Sequence, residues 1–560
     1  MPEYLKERES NCTNCYKCIR HCPVKCIRFY DSHAHVVPEE CVLCGACMVE
    51  CPRGVKLIRD DVSAVRQLLE EDAPVYAVMD PTFVANYPGV SMEAMRGLLM
   101  KLGFAEAEEA DIGIAAVASV CEAYVREFPE KSEERRVLIS STCPSVNLLI
   151  RQYYPDLIPY LLPIRSPMEA HCLDIKRRMP EAKTVYIGPC LAQKAEAGES
   201  GGIVDAVITF KELTRWLHSA MLHPEKGPED SNPMRIYAVT SGLERVMDLS
   251  ESHYHHITIE GIDQCRSALE NIRNGCADRC FIEMYACLGH CLNGPAMLRK
   301  HRGQLGGFAA VRRMSACGER PSTVLTAREL YKEMPAKPIH AYKPTKEEIE
   351  RVLHEMGKLT TRDELNCESC GYATCRDKAV AVLQGKAELS MCMPFLKDKA
   401  EAFSSNIIRN TPNGILVLDQ YYTIRLMNKA ASRIFGGVDV SCMVGRQIDA
   451  LLARRPFELA GEAGEPVEYK DRYLEEYDIY VDMVIVFENQ YKTYICIIRD
   501  VTERVKQDIR KEEVGRHTIE ITDKIIEKQM RTVQEIASLL GETTAETKVA
   551  LTRLKETMKL

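Results

Sequence analysis

Short apolar runs separated by amphipathic stretches dominate residues 72–333. Residues 75–79, 137–139, 184–187, 206–208 and 235–239 have the length and composition of buried strands. Between them, residues 211–222 and 262–273 place apolar side chains at helical spacing. Strands that alternate with helices predict an α/β domain.

Downstream the pattern changes. Residues 403–503 open on Asn413-Gly414, enter a strand at 415–418, and alternate apolar and polar positions through 480–487 and 491–498. That pattern predicts a small, sensor-like α+β domain. Residues 504–560 are rich in Lys, Glu and Thr, with Ile519, Ile521, Ile525, Ile526, Val533, Ile536, Leu539 and Leu540 at helical spacing. A helix break is predicted at Gly541. The apolar stripe suits internal packing or a dimer seam ahead of a docking face for another protein.

With 560 residues there is room for three or four domains, and 46% hydrophobic with 28% charged residues is the mix of packed soluble domains. Lys+Arg 73 against Asp+Glu 81 gives a net charge of -8 without a long basic block. Electrostatics therefore give no support to a nucleic-acid or anionic-membrane partner. The greasiest stretch, residues 147–164, is interrupted by Arg151 and Asp156 and cannot span a bilayer. Residues 1–10 are charged and lack a secretory apolar segment, so a cytoplasmic protein is expected. What stands out is 25 Cys beside 1 Trp. In a reducing compartment so many thiols indicate metal ligation or redox chemistry.

Spacing decides which. Residues 1–57 contain Cys12-x2-Cys15-x2-Cys18-x3-Cys22-Pro23, repeated as Cys41-x2-Cys44-x2-Cys47-x3-Cys51-Pro52. Two matching halves suggest a pseudo-twofold unit built around its ligands, because so short a segment buries little core. Three thiolates at this spacing hold one cubane, while the Cys before Pro reaches the other. One 4Fe-4S cluster would take Cys12, Cys15, Cys18 and Cys51, the other Cys41, Cys44, Cys47 and Cys22. Zinc also accepts Cys-x2-Cys pairs, but the doubled spacing favours iron–sulfur and resembles a bacterial-type two-cluster ferredoxin domain. Cys26 is extra and reads as a buried or free thiol.

Three segments of the α/β block also set Cys beside Pro or Gly. They are Ser140-Ser141-Thr142-Cys143-Pro144, Gly188-Pro189-Cys190-Leu191-Ala192-Gln193-Lys194-Ala195-Glu196, and Phe281-Ile282-Glu283-Met284-Tyr285-Ala286-Cys287-Leu288-Gly289-His290-Cys291. Singly, each Cys suits a small core position. Together they offer four thiolates, enough for a buried 4Fe-4S cluster. In order and kind these segments resemble the three cluster loops of the iron-iron hydrogenase family. Residues 204–209 and the Ile259-Glu260-Gly261 turn fit the same domain. The resemblance implies that Cys143, Cys190, Cys287 and Cys291 hold the cubane of an H-cluster. It also implies that Cys291 bridges to a two-iron subcluster, with CO and cyanide ligands, that binds hydrogen.

The departures from that family are informative. Its catalytic members carry a second Cys immediately before the first ligand, whose thiol relays protons; here that position is Thr142. A thiol titrates near pH ~8.5 and exchanges protons at neutral pH, whereas a hydroxyl does not readily ionise. Gln193 replaces the family's Lys beside the diatomic ligands, and Lys194 falls one residue late. Tyr285 stands where the family has Met, and His290 replaces the second Gly of the usual CxGGC. The acid-bearing stretch expected after Asp111 reads Ile114-Ala115-Ala116-Val117-Ala118. A retained metal cage with altered proton chemistry resembles the sensory, low-turnover branch. Thr142 and Cys291 are the candidate catalytic residues, and Gln193 a candidate contact of the cofactor.

After a Lys/Pro-rich hinge at 335–346, residues 347–400 contain Cys367-x2-Cys370-Gly371-x3-Cys375. Cys392 follows a predicted helix with Ala379, Ala381 and Gly385. This resembles the single-cluster Fe-S domain of multi-domain hydrogenases; zinc competes as ligand, and the neighbouring motifs favour 4Fe-4S. The nine remaining cysteines (Cys26, Cys121, Cys172, Cys265, Cys276, Cys280, Cys317, Cys442 and Cys496) share no spacing and read as core or redox-silent thiols. Of these, Cys276 and Cys280 lie near the third loop. His253-Tyr254-His255-His256 reads as a solvated loop, and no Gly-rich phosphate loop is present.

Residues 407–415, Asn428-Lys429-Ala430-Ala431 and the exit Arg499-Asp500-Val501-Thr502-Glu503 resemble a PAS domain. Residues 403–503 contain no histidine, which excludes a His-ligated haem and leaves the choice between an empty domain and a flavin. The expected function is a hydrogen or redox sensor that relays cluster state to the PAS domain and the C-terminal helices. Hydrogen and protons are its expected small molecules, with ferredoxin as electron partner and a homodimer as assembly. Resemblance to sensory hydrogenases implies a serine/threonine phosphatase or kinase as output. The rival readings are an ordinary ferredoxin-linked hydrogenase and a non-hydrogenase Fe-S protein without the two-iron centre.

Overall fold

Strands that are apolar on both faces need cover on both sides, which favours parallel pairing between helices. The computed structural model describes residues 4–8, 12–127, 137–227, 230–250, 252–298, 305–315 and 318–557, so Cys317 lies outside the described residues. Two sheets of this kind are present. Glu106–Glu109, Val75–Met79, Lys183–Gly188 and Ala206–Thr209 form one, in that order and all parallel. His255–Glu260, Cys280–Tyr285 and Val137–Ile139 form the other, also parallel. The loops after Met79, Ile139, Gly188 and Tyr285 therefore leave carboxyl ends of strands, where α/β sheets place their ligands.

Two local expectations are overturned. Residues 235–239 are not a strand; the 3-10 helix Pro233–Ala238 occupies most of them. Pro233 pre-sets the turn, and the Asn232 side chain caps it by accepting from the Met234 amide at 3.0 Å. The turn directs Arg235 inward, where its guanidinium donates to Glu109 at 2.8 Å and to Asp230 at 2.9 Å. Arg235 and Glu109 are both buried, so removing one strands the other charge. Arg235→Met is expected to cost about 3–5 kcal/mol, read as a lower urea midpoint. The 253–256 segment is loop only at His253 and Tyr254, because His255 opens a strand. Its register with Cys280–Tyr285 gives the backbone ladder partners, and the His256 ring packs 5.2 Å from Phe281. Cys280 begins that neighbouring strand, at the end remote from the loop holding Cys287.

The expected helix at 262–273 is Ile262–Arg273. The one at 211–222 is Phe210–Ser219, started by a Thr209–Glu212 capping box. In the N-terminal segment, Leu5–Glu7 pairs with Lys56–Ile58 and Ile27–Tyr30 with His33–Val36. Glu7 joins the two pairs by accepting from Lys56 Nζ at 2.5 Å and from the Val36 amide at 3.0 Å. Gly45 lies at φ +73, and a Cβ there would sit 2.4 Å from Pro295, so only glycine allows this close approach to the α/β block. Farther on, capping boxes at Thr345 and Thr374 start the helices Lys346–Glu355 and Cys375–Leu383. Gly385 lies beyond the second helix, at φ +67, rather than within it.

The chain divides into two compact units, residues 1–396 and 397–560. No break separates residues 400 and 403, because the helix Met393–Asn410 runs through them and holds no Gly or Pro after Pro394. The second unit has a five-stranded antiparallel sheet in the order Ile424–Met427, Gly414–Leu418, Thr493–Asp500, Ile479–Glu488, Val467–Leu474. Asn428 staples its start, accepting from the Ala431 and Ile415 amides and donating to the Ile408 and Asn413 carbonyls. Aromatic rings fill the interior: Tyr494 packs 4.6 Å from Phe487 and 5.2 Å from Tyr422. Thr502–Thr557 then forms one helix without the break expected at Gly541. A lone helical glycine costs only about 1 kcal/mol, and no proline accompanies it. Among the described residues, no helix is long and apolar enough to cross a membrane.

Candidate metal centres

The carboxyl-end loops bring four cysteines onto one cavity. Cys143 precedes the helix Pro144–Tyr153, Cys190 precedes Ala192–Gly198, and Cys287 and Cys291 lie on the loop after Cys280–Tyr285. All four line one cavity, whose wall also includes Asp80, Thr142, Tyr186, Gln193, Tyr237, Tyr285 and His290. Burial pushes the Cys190 thiol up to about 12, with Cys143 adding to the shift. Burial likewise raises Cys143 and Cys291. Crowded thiols with so little hydration ionise only against a bound cation, which suits thiophilic iron or zinc. Beyond the thiols the wall also carries polar groups. Tyr186 donates to Asp80 Oδ2 at 2.7 Å, and the buried Gln193 Oε1 has no protein partner. An orphaned acceptor of this kind fits a further polar group beside the thiol set.

From Thr142 a line of hydrogen bonds leads away from the cavity. The Thr142 hydroxyl donates to the Tyr285 phenol oxygen at 3.3 Å, and that phenol donates to Glu283 Oε2 at 3.1 Å. Glu283 is anchored by the Glu244 amide at 2.7 Å and the Leu243 amide at 3.3 Å. Burial lifts its carboxyl from an ordinary 4.5 to about 7, against the opposing pull of those hydrogen bonds. His290 is fully buried, 3.7 Å from Tyr285 ring to ring, and burial lowers its pKa to about 3. Lys194 turns elsewhere: its ammonium donates to Asp61 at 2.7 Å and Glu212 at 2.8 Å, leaving Gln193 on the cavity wall.

In the N-terminal segment the thiols fall into two electrostatic sets. Burial, then Cys22 and Cys41, raises Cys44, while burial, then Cys41, Cys44 and Cys22, raises Cys47. Cys18 is pushed up to about 11, by burial first and by Cys12 and Cys15 among the lesser causes. Cys44 also reaches the wall of the main cavity. A separate cavity is lined by Cys367, Cys370, Cys375 and Cys392, together with buried Lys378. This last segment packs on the N-terminal one. Arg20 donates to the Glu368 carbonyl at 2.9 Å, Lys25 to the Gly371 carbonyl at 3.1 Å, and the Phe29 amide to the Lys386 carbonyl at 2.8 Å.

Residues 73–244 and 234–295 match the family described as iron only hydrogenase large subunit, C-terminal domain. The α/β block that carries the cavity, residues 73–295, is a domain of the iron only hydrogenase large-subunit family. Residues 4–52 match a 4Fe-4S dicluster domain, 363–394 an Fe-S cluster domain and 402–470 a PAS domain. The periplasmic Fe hydrogenase large subunit of Nitratidesulfovibrio vulgaris is 25% identical over 362 residues, 52% of this chain and 85% of that one. A cytosolic Fe-S cluster assembly factor of Kluyveromyces lactis is 34% identical over 87 residues, 15% of this chain and 19% of that protein. Among solved structures, an FeFe-hydrogenase variant from Chlamydomonas reinhardtii shares 15% identity and a TM-score of 0.39, covering 50% of this chain and 100% of its own. The PAS domain of a nitrogen regulation protein from Vibrio parahaemolyticus shares 17% identity and a TM-score of 0.16, covering 17% of this chain and 96% of its own.

The residues around the thiols include departures noted in the sequence. Thr142, Gln193, Tyr285 and His290, each a departure in the sequence, all face the same cavity. Asp80, Tyr186, Tyr237 and Glu283 were not singled out by sequence. Glu283 sits four residues before Cys287 inside an apolar strand, and a charged residue in such a run was the available signal.

Proposed function

We propose that this iron-iron hydrogenase is a low-turnover sensor of hydrogen or redox state rather than a flux enzyme. The observation that carries the reading is Thr142: a hydroxyl stands next to the first cavity thiol and hands its hydrogen bond to Tyr285 and Glu283. In this reading Cys143, Cys190, Cys287 and Cys291 hold a cubane, and Cys291 also meets a two-iron group with CO and cyanide ligands. When bound, that group supplies hydrogen binding and cleavage. Thr142 Oγ1 holds a proton near it, the Tyr285 phenol passes a proton onward, and the Glu283 carboxyl stores it. Each hand-over through a hydroxyl of high pKa is slow beside a thiol, which limits turnover. Gln193 offers neutral hydrogen bonds where an ammonium would hold a diatomic ligand more strongly.

The same reading assigns Cys41, Cys44, Cys47 and Cys22 to one 4Fe-4S cluster and Cys12, Cys15, Cys18 and Cys51 to another. Cys367, Cys370, Cys375 and Cys392 would hold the fourth cubane. Cys44 on the main cavity wall, and the docking of Glu368 and Gly371 on Arg20 and Lys25, support a continuous electron path through these sets. Ferredoxin is the proposed external electron partner, and hydrogen and protons the small molecules sensed. An infrared spectrum of the maturated protein, taken with its turnover rate, tests the function. Bands of bound CO and cyanide with a low rate are expected; a rate equal to fast hydrogenases overturns the sensory reading. Iron analysis should find about 18 irons per chain, or about four fewer with zinc at the Cys367 set. Cys392→Ser is expected to remove one cubane and spare the others.

The proposed output is protein–protein signalling through the PAS domain and the final helix, with a serine/threonine phosphatase or kinase as partner. Ile519, Ile526, Val533 and Leu540 recur every seven residues on that helix and are exposed, which suits a coiled-coil homodimer. Hydrogen shifts such an assembly only if it favours one of two arrangements. Amide exchange across 403–560 is therefore expected to differ between hydrogen and argon. Identical protection in both gases would leave the helix a passive scaffold.

A further inference from the structure

Two cavities each gather four thiols, and the charges on their walls are opposite. The wall around Cys143, Cys190, Cys287 and Cys291 carries the buried acids Asp80 and Glu196, and its described residues include neither Lys nor Arg. His290 on that wall stays neutral, because burial lowers its pKa to about 3. The wall around Cys367, Cys370, Cys375 and Cys392 instead carries two buried lysines, Lys358 and Lys378, 6% and 1% exposed. The acid among its described residues, Glu368, is exposed. Backbone groups anchor both ammoniums without cancelling their charge: Lys358 Nζ donates to the Asp363 carbonyl at 2.7 Å, and Lys378 Nζ to the Glu388 carbonyl. The Lys378 ammonium is within electrostatic reach of Cys370, Cys392 and Cys375, with Glu388 as the neighbouring acid. Three lesser features act in the same direction. Cys375 opens the helix Cys375–Leu383 at its positive end. Tyr372 lies on the same wall, and its buried hydroxyl has no protein partner, which leaves a donor for sulfur. Cys367 is exposed to water. In the N-terminal segment, by contrast, Lys56 is matched by Glu7 at 2.5 Å, and Lys25 is only half-buried.

A cubane gains one negative charge on reduction, so net charge, hydrogen bonds to its sulfurs and exposure to water set its potential. Buried ammoniums favour that charge and buried carboxylates oppose it. We infer that the cubane assigned to Cys367, Cys370, Cys375 and Cys392 has the most positive potential of the four and is where an electron from hydrogen comes to rest. The inference rests on that ligand assignment and on the sensory reading, and names the cluster whose state is relayed. Each hydrogen molecule that is split loses its H–H bond and gives two protons, which leave along the Thr142 line, and two electrons. One electron reduces the cubane of this set, and the other reduces a ferredoxin-type cubane. Cys392 immediately precedes the helix Met393–Asn410, so the charge is added beside the helix that leads to the PAS domain.

The test uses the full chain, reconstituted anaerobically and poised with dithionite and mediators, with iron counts and electron paramagnetic resonance at each potential. Cys392→Ser is expected to lose about four irons and, with them, the resonance that appears first on reduction. Lys378→Met is expected to keep the iron and to lower that cluster's reduced-to-oxidised ratio about tenfold at fixed potential, a shift of about 59 mV. Lys378→Arg, which keeps the cation, restores the ratio. Where Lys378→Met loses iron, Lys358→Met gives the same reading. Loss of a later resonance in Cys392→Ser, with the first retained, overturns the proposal, as do parent potentials in both methionine variants. Full iron in Cys392→Ser defeats the ligand assignment instead. The poise needs no hydrogen, so fast turnover would defeat the sensory reading and leave this order of reduction standing.

Discussion

Replacing Glu283 by Gln is expected to lower hydrogen turnover by about 100- to 10,000-fold, the usual contribution of a positioned acid or base. The amide occupies the volume of the carboxylate; with its oxygen toward the Glu244 amide, its NH2 faces the Tyr285 phenol, which turns to accept. What it loses is the capacity to bind and release a proton near neutrality. The native carboxyl titrates at about 7 because burial disfavours its ionised form. Hydrogen oxidation needs the carboxylate as acceptor, so its rate should rise as pH passes upward through about 7. Proton reduction needs the acid form and should fall over the same range. Glu283→Gln should flatten both profiles. Stability carries an independent sign. The folded value lies above the ordinary 4.5, so Glu283 favours folding most below 4.5 and that contribution is lost as pH rises to about 7. The variant should lose this slope in urea titrations. Equal turnover and an unchanged pH profile in Glu283→Gln would remove Glu283 from the relay.

Much of the architecture is legible in local pattern, and its failures have local causes. The strands at 75–79 and 137–139 appear with the bounds their apolar runs suggest, because nothing competes with burial there. Residues 235–239 look equally apolar but follow a proline and contain Arg235, whose partners Glu109 and Asp230 are brought together only by the folded chain. The cysteines of the cavity are recognisable through the resemblance of their three loops, taken together and in order, since singly each suits a small core position. Tyr237 and Asp80 are not, because each is one polar residue at the end of an ordinary run. Asp80 meets the cavity from the end of the strand Val75–Met79, and Tyr237 from the 3-10 helix Pro233–Ala238. The link between the Cys367 segment and residues 19–29 is also absent from pattern. It is made by Arg20, Lys25 and backbone groups that any surface turn could supply.

Thr142→Cys tests the same relay from the opposite direction and should raise hydrogen evolution by up to about 100- to 10,000-fold. Thr142 is buried beside Cys143, and its hydroxyl already points at Tyr285 across 3.3 Å. A Cys side chain in this place lacks the threonine methyl, keeps a donor toward the same phenol and brings a pKa near ~8.5 in place of a hydroxyl that stays protonated. The gain should fall short of its upper bound, because Gln193 and His290 still face the cavity and the apolar Ala115-Ala116 stretch is unchanged. Thr142→Ala, which removes the hydroxyl without adding a thiol, should lower the rate, so a rise in both variants would indicate relief of crowding instead. Combining Thr142→Cys with Glu283→Gln decides whether the new thiol feeds the existing line of hydrogen bonds. If it does, the double variant falls back to the low rate of Glu283→Gln alone. If the thiol opens its own route to solvent, the double variant stays fast. No gain in Thr142→Cys, at unchanged iron content and unchanged infrared bands, would mean that proton supply at this residue does not limit turnover.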